Sequence, residues 1–200
     1  MIAIIDYGAG NIFSVKNALD YLGVENKLTA DKNEICAADE IILPGVGAFP
    51  WAMKMLRDSG LVDTIREEAR KKPFLGICLG MQLIFDKGYE FEETDGLRLI
   101  GGKVEKIDRK DMIIPHMGWN ELVINRDCPI LKGLPEHPYV YFVHSYAAVC
   151  DEANVSAYCD YGGKITALVH DGAYVYGAQF HPEKSGEVGL QMLRNFAELA

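Results

Sequence analysis

The chain has 200 residues, 49% apolar and 24% charged, the proportions of a globular protein of one ordinary domain with its own core. A net charge of −9, from 20 basic and 29 acidic side chains with no basic cluster denser than Arg70-Lys71-Lys72, excludes nucleic acid and anionic membrane as expected partners. The five cysteines form no C-x-x-C, no secretory leader is legible and no apolar run reaches membrane length, so the expected location is the reducing cytoplasm.

In chain order, Met1 to Ile5 is an apolar run ending at Asp6, as a buried parallel strand does. Tyr7-Gly8-Ala9-Gly10-Asn11 is a turn. Ile12, Val15, Leu19 and Leu22 then repeat at helical spacing and stop at Gly23. Val24 to Leu28 and Glu40 to Leu43 are further strands, the latter ending in Pro44-Gly45-Val46-Gly47. Ala48 to Arg57 and Leu61 to Lys71 are helical, split near Ser59-Gly60. Phe74 to Ile77 is the central strand, and Leu79 to Phe85 the helix after it. Strands alternating with helices imply a mostly parallel central sheet with helices on both faces. After Lys87 the pattern is richer in strands: Leu97 to Ile107, Ile113 to Ile114, Trp119 to Ile124, Tyr139 to Val149, Val155 to Tyr161, Ile165 to His170 and Ala173 to Phe180. Asp171-Gly172 marks a hairpin. Glu187 to Leu199 closes the chain as a helix. The expectation is a single α/β domain over residues 1–200, with a more antiparallel C-terminal half.

The stretch around Cys78 carries the chemistry. Gly76-Ile77-Cys78-Leu79-Gly80 places a thiol between strand and helix, flanked two residues each way by glycine, and parallels the G-x-S-x-G elbow of hydrolases. A chain that folds sharply back needs neighbours without side chains. The helix after it points its N–H groups at the sulfur, an arrangement that favours thiolate. Tyr174 to Phe180 delivers His181-Pro182-Glu183 at a strand end, where catalytic groups of open α/β sheets gather. His181 suits the general base and acid that the thiol needs, and Glu183 the carboxylate that orients its ring. A lone cysteine is most often a small buried hydrophobe, and a lone histidine most often structural; the joint pattern is what outweighs both readings. Gly45, in the glycine-rich strand end, and Leu79, just after the nucleophile, are the expected backbone donors to an oxyanion. Alternatives fail on spacing. Gly8-Ala9-Gly10 is followed by Phe13 where a dinucleotide fingerprint needs glycine. His181-x-Glu183 is not followed by the P-C-x-x-C of a zinc deaminase, and the five histidines show no metal spacing. No cofactor is expected.

Gly76-Ile77-Cys78-Leu79-Gly80-Met81-Gln82 with His181-Pro182-Glu183 resembles the class I (triad) glutamine amidotransferases, whose fold is flavodoxin-like. Tyr7 to Asn11, Pro44 to Phe49, Pro115 to Asn120, Phe142 to Tyr146 and His181 to Gly186 resemble, within that family, glutaminase subunits that serve histidine biosynthesis. The chain departs at Ala147-Ala148, where many relatives carry a further aromatic. The resemblance implies glutamine as substrate, hydrolysed through a cysteinyl thioester, with Gly47, Gln82, Glu90, Ser145 and Tyr146 contacting it. It also implies a heterodimer with a (β/α)8 barrel cyclase that receives the ammonia, docked on Asn11, Met117, Trp119 and Asn120. Gln82 also reads as an ordinary polar helix residue, Tyr146 as a strand aromatic and Trp119 as a core residue. Two other functions stay open at this stage: a glutaminase of another pathway, such as the one serving anthranilate or pyridoxal-phosphate synthesis, and a catalytically silent module that shapes a partner.

Overall fold

The computed structural model describes all 200 residues. Its elements in chain order are β1 (Ile2–Ile5), α1 (Ile12–Tyr21), β2 (Asn26–Thr29), α2 (Lys32–Ala37), β3 (Glu40–Gly45), α3 (Phe49–Asp58), α4 (Val62–Glu68), β4 (Phe74–Cys78) and α5 (Leu79–Leu83). There follow β5 (Lys87–Gly88), β6 (Thr94–Asp95), β7 (Gly102–Lys106), β8 (His116–Glu121), β9 (Val123–Ile124), β10 (Tyr139–His144), β11 (Tyr146–Cys150), β12 (Val155–Asp160), β13 (Lys164–His170), β14 (Val175–Ala178) and α6 (Gly186–Ala197).

The main sheet runs β2-β1-β3-β4-β14-β13-β12-β9. Its first five strands are parallel and the rest antiparallel, as the two halves of the sequence imply. Every residue of β1, β3, β4 and β14 is buried, which is why those strands read as unbroken apolar runs. Successive residues serve opposite faces. Ile42, Leu75 and Ile77 join a core with Val15 and Leu19 of α1 and Leu193 and Phe196 of α6. Ile41, Leu43 and Phe74 join the other, with Met53 and Leu56 of α3 and Ile65 of α4. A smaller sheet, β11-β7-β5-β6, and the β8–β10 pair complete the second half.

Four expected strands change, and one helix stands where no element was read. Lys32–Ala37 is a helix, capped by Asp31, whose carboxylate accepts from the N–H groups of Asn33 (2.7 Å) and Glu34 (3.2 Å). Leu97 to Ile107 is not one strand. Leu97 and Leu99 donate instead to the carbonyls of Leu83 (2.7 Å) and Ile84 (2.8 Å), so the segment caps the open end of α5. Ile113–Ile114 has no strand partner, and the Ile113 carbonyl accepts from the Tyr161 hydroxyl at 2.8 Å. The runs over Trp119 to Ile124 and Tyr139 to Val149 each divide in two, at Leu122 and Ser145, because the chain changes sheets there.

Candidate active site

Cys78 stands where β4 becomes α5, with φ 55° and ψ −111°, a conformation rare for any residue with a side chain. The flanking glycines make that turn possible. A Cβ on Gly80 would lie 1.9 Å from the Leu43 carbonyl oxygen, and one on Gly76 would lie 2.6 Å from the Gly80 carbonyl oxygen. β3 and β14 flank β4 in parallel, so three carboxyl ends open on the same side.

From the β14 side comes His181, which is 2% exposed. The turn at Pro182–Lys184 brings Glu183 back under the ring, with His181 Nδ1 and Glu183 Oε1 at 2.8 Å. Burial opposes charging the imidazole, but its hydrogen bonds with Cys78 and Glu183 outweigh that cost and raise the pKa to about 9. The ring is thus poised to hold a proton beside the sulfur, the requirement for an activated thiol. Ser185 braces the turn: its hydroxyl donates to the His181 carbonyl (2.6 Å) and accepts from the Tyr141 N–H (3.0 Å). Asn11, the residue before α1, extends its amide to 3.5 Å from Glu183 Oε1.

A cavity of about 300 Å3 opens over these groups. Its walls include Cys78, Leu79 and His181 together with Gly47, Gln82, Glu90, Ser145 and Tyr146, so every residue expected to meet substrate reaches one space. A wider surface groove of about 1030 Å3, bordered by Trp51, Arg57 and Phe91, contains none of them. Gln82 is buried and is not a free helix polar group. Its amide nitrogen donates to the Tyr146 carbonyl and to Gln179 Oε1, both at 3.0 Å. Gln179 in turn extends its amide nitrogen to within 4.0 Å of Cys78 Sγ. Glu90 accepts from the Phe49 N–H at 2.8 Å and so caps α3, which has no cap of its own. Gly45 lies behind the cavity wall, where a Cβ would meet the Gly80 nitrogen at 2.6 Å; Val46 and Gly47 of the same strand end form the wall itself. Tyr7 holds that strand end through a hydroxyl bond to the Pro44 carbonyl at 3.1 Å.

Met117 and Trp119 are 60% and 54% exposed, side by side on one face of β8, so Trp119 is not a core residue. Its indole meets Tyr141 edge-on, centroids 6.0 Å apart. Asn120, on the opposite face of the strand, points to the buried His116. Sequence reasoning passed over His144, Gln179 and Ser185. Each is a polar residue inside or beside an apolar strand or turn; His144 and Ser185 also fall within the family-like stretches Phe142 to Tyr146 and His181 to Gly186, which assigned them no role.

The family model for "Glutamine amidotransferase class-I" matches residues 3–199. The chain is 51% identical over 197 residues to the imidazole glycerol phosphate synthase subunit HisH of Bacillus cereus (strain G9842), covering 98% of this chain and 93% of that protein. It is 49% identical over 201 residues to the HisH subunit of Listeria monocytogenes serotype 4a (strain HCC23), covering 100% and 96%. Among solved structures it resembles a glutamine amidotransferase (TM-score 0.77, 23% identity, 100% and 98% covered). It also resembles PurLQS from Thermotoga maritima (TM-score 0.74, 22% identity, 98% and 96% covered). These two likenesses concern the fold. The chain belongs to the class I glutamine amidotransferase family, among its imidazole glycerol phosphate synthase HisH subunits.

Proposed function

We propose that the chain is a single amidotransferase domain, residues 1–200, that hydrolyses glutamine to glutamate and ammonia for a separate (β/α)8 barrel cyclase in histidine biosynthesis. The cyclase would use the ammonia to make imidazole glycerol phosphate and an aminoimidazole carboxamide ribotide. One observation supports this reading: Cys78 and His181, far apart in sequence, line one cavity sized for a small ligand, with Glu183 paired to the ring of His181 behind it.

The Cys78 thiolate attacks the side-chain amide carbon of glutamine. The negative oxygen that forms is met by the Leu79 N–H and, once the strand end at Gly45–Gly47 turns toward it, by the Gly45 N–H. His181 gives its proton to the departing nitrogen, and ammonia leaves a thioester. His181 then takes a proton from water, whose oxygen attacks the thioester carbon; glutamate is released and the thiol restored. Gln82 has both amide hydrogens committed, which leaves its Oε1 to accept from the substrate's ammonium group. Glu90 adds a carboxylate for the same group, and Ser145 and Tyr146 hold the substrate's carboxylate. Asn11, Met117 and Trp119 form the docking face for the cyclase; Asn120, expected there too, turns its side chain to the other face of β8, toward His116. Ammonia must pass between the two proteins without entering water, because protonation there would remove its nucleophilicity. The acidic surface fits no nucleic-acid partner, and no helix is long and apolar enough to cross a membrane.

The test is glutamate release with and without the cyclase and its nucleotide ligand. Release should be weak alone and rise with both present. Cys78→Ala should abolish it while cyclase product still forms from added ammonium salts. Glutamate release retained in Cys78→Ala would end the proposal.

A further inference from the structure

Beside Ser145 and Tyr146 lie two buried histidines for which the hydrolysis has no task. His116 on β8 and His144 at the end of β10 are opposed across the antiparallel pair. Their rings meet at 2.9 Å, His116 Nδ1 to His144 Nε2. They are 0% and 6% exposed. His144 Nδ1 lies 2.8 Å from the carbonyl oxygen of Tyr146. A carbonyl only accepts, so Nδ1 carries a proton. Burial pushes the His144 pKa down to about 4, so the ring is neutral, with its proton on Nδ1 and Nε2 facing His116 Nδ1. His116 is itself fixed. It stacks between Tyr161 and Phe142, centroids 3.9 and 4.7 Å away, and its Nε2 is 2.7 Å from the Asn120 side-chain oxygen Oδ1, which accepts.

The carbonyl that His144 grips belongs to a turn with special demands. β10 ends at His144 and pairs with β8; β11 begins at Tyr146 and pairs with β7 in another sheet. Ser145 is the whole connection. One ladder ends and another starts there: the Ser145 carbonyl accepts from the Ile107 N–H at 2.9 Å, and side-chain bonds hold the carbonyl that follows. The Tyr146 carbonyl takes two such bonds, from His144 and from Gln82. A phenyl ring in place of the imidazole would fill the space, but it would strip one donor from that carbonyl and take the polar ring contact away from the buried His116.

We propose that His144, braced by His116, is a positioning residue for the substrate-holding turn Ser145–Tyr146. This rests on the glutaminase reading above, in which that turn holds glutamine. His144 touches no reacting atom; it sets where Ser145 and Tyr146 stand in the cavity. The expected signature is therefore weaker glutamine binding with the thiol chemistry left intact.

The experiment compares the full chain and its His144→Phe and His144→Asn variants, each assayed for glutaminase kinetics in complex with the cyclase. The rate of Cys78 alkylation by iodoacetamide, which does not use the turn, is measured alongside. His144→Phe should raise KM for glutamine about tenfold or more, with kcat and alkylation within about threefold of the parent. His144→Asn places an amide N–H near the position of Nδ1 and should keep KM within about threefold. Unchanged KM in His144→Phe, or a loss in kcat and alkylation with KM preserved, overturns the inference. Should His144→Phe fail to fold, His116→Leu removes the brace alone: a raised KM supports the inference and an unchanged one overturns it. A parent complex that releases no glutamate defeats the glutaminase reading and this inference with it, whereas an active parent with unchanged KM in the variants defeats the inference alone.

Discussion

Cys78 stores strain at the point where the chemistry is needed. Its φ of 55° and ψ of −111° belong to glycine, yet the residue must be a nucleophile. Stability and activity therefore pull against each other at this position. Cys78→Gly should be more stable than Cys78→Ala by roughly 1–2 kcal/mol in urea unfolding, since glycine adopts the turn without cost and alanine does not. Equal stabilities would mean that the elbow is unstrained. The same scale explains Gly80, whose missing side chain gives way to the Leu43 carbonyl. Gly80→Ala should unfold the elbow's packing against β3 and cost more than about 2 kcal/mol, with glutaminase lost at the same time. The triad was legible at the residue scale, because a G-x-C-x-G at a strand end and a His-x-Glu at another each obey spacing rules. The Gln82–Gln179 and His116–His144 pairs were not. A polar residue in a strand shows no partner until a distant strand supplies one.

At the scale of elements, continuous apolar runs made the parallel half readable, and an unbroken alternation obscured the other half. Tyr139 to Val149 keeps a strand-like pattern across Ser145, with no glycine or proline to mark the change of sheet. Leu122 conceals a second such change between β8 and β9. The short helix α2 did carry a signal, Asp31 three residues before Glu34, but only Ile35 of its six residues is buried and no apolar stripe drew attention to it. Its stability rests largely on its cap. Asp31→Ala should lower global stability by about 1 kcal/mol without altering glutamine turnover, checked by urea unfolding and glutamate release on the same sample. A change in turnover would tie α2 to the site by a route that the contacts do not reveal.

Across the whole molecule, two apolar layers hold a sheet whose carboxyl ends carry the site, and a cost sits at the opposite end. Glu40 opens β3 there, 3% exposed, with one carboxyl oxygen unpartnered. Burial raises its pKa from 4.5 to about 7, only partly offset by the ammonium group of Met1. The folded protein thus holds this proton more tightly than the unfolded chain. Stability from this group is full below pH 4.5 and falls as pH rises from there through about 7. Glu40→Gln should leave stability unchanged near the bottom of that range and raise it above the top, by on the order of 2 kcal/mol. A variant less stable than the parent at alkaline pH would show that the ionised carboxylate is well solvated or paired.

The central claim is that one sulfur, served by His181, reacts with the side chain of glutamine in the cavity over β4. The chain also carries Cys36, exposed, and Cys128, Cys150 and Cys159, less accessible, so labelling can discriminate among them. The most direct measurement is intact and peptide mass spectrometry after treatment with a diazo-ketone analogue of glutamine, with the cyclase and its ligand present. One adduct per chain on Cys78, suppressed by excess glutamine, is the expected result. No adduct, or one on Cys36 that glutamine does not suppress, would contradict it.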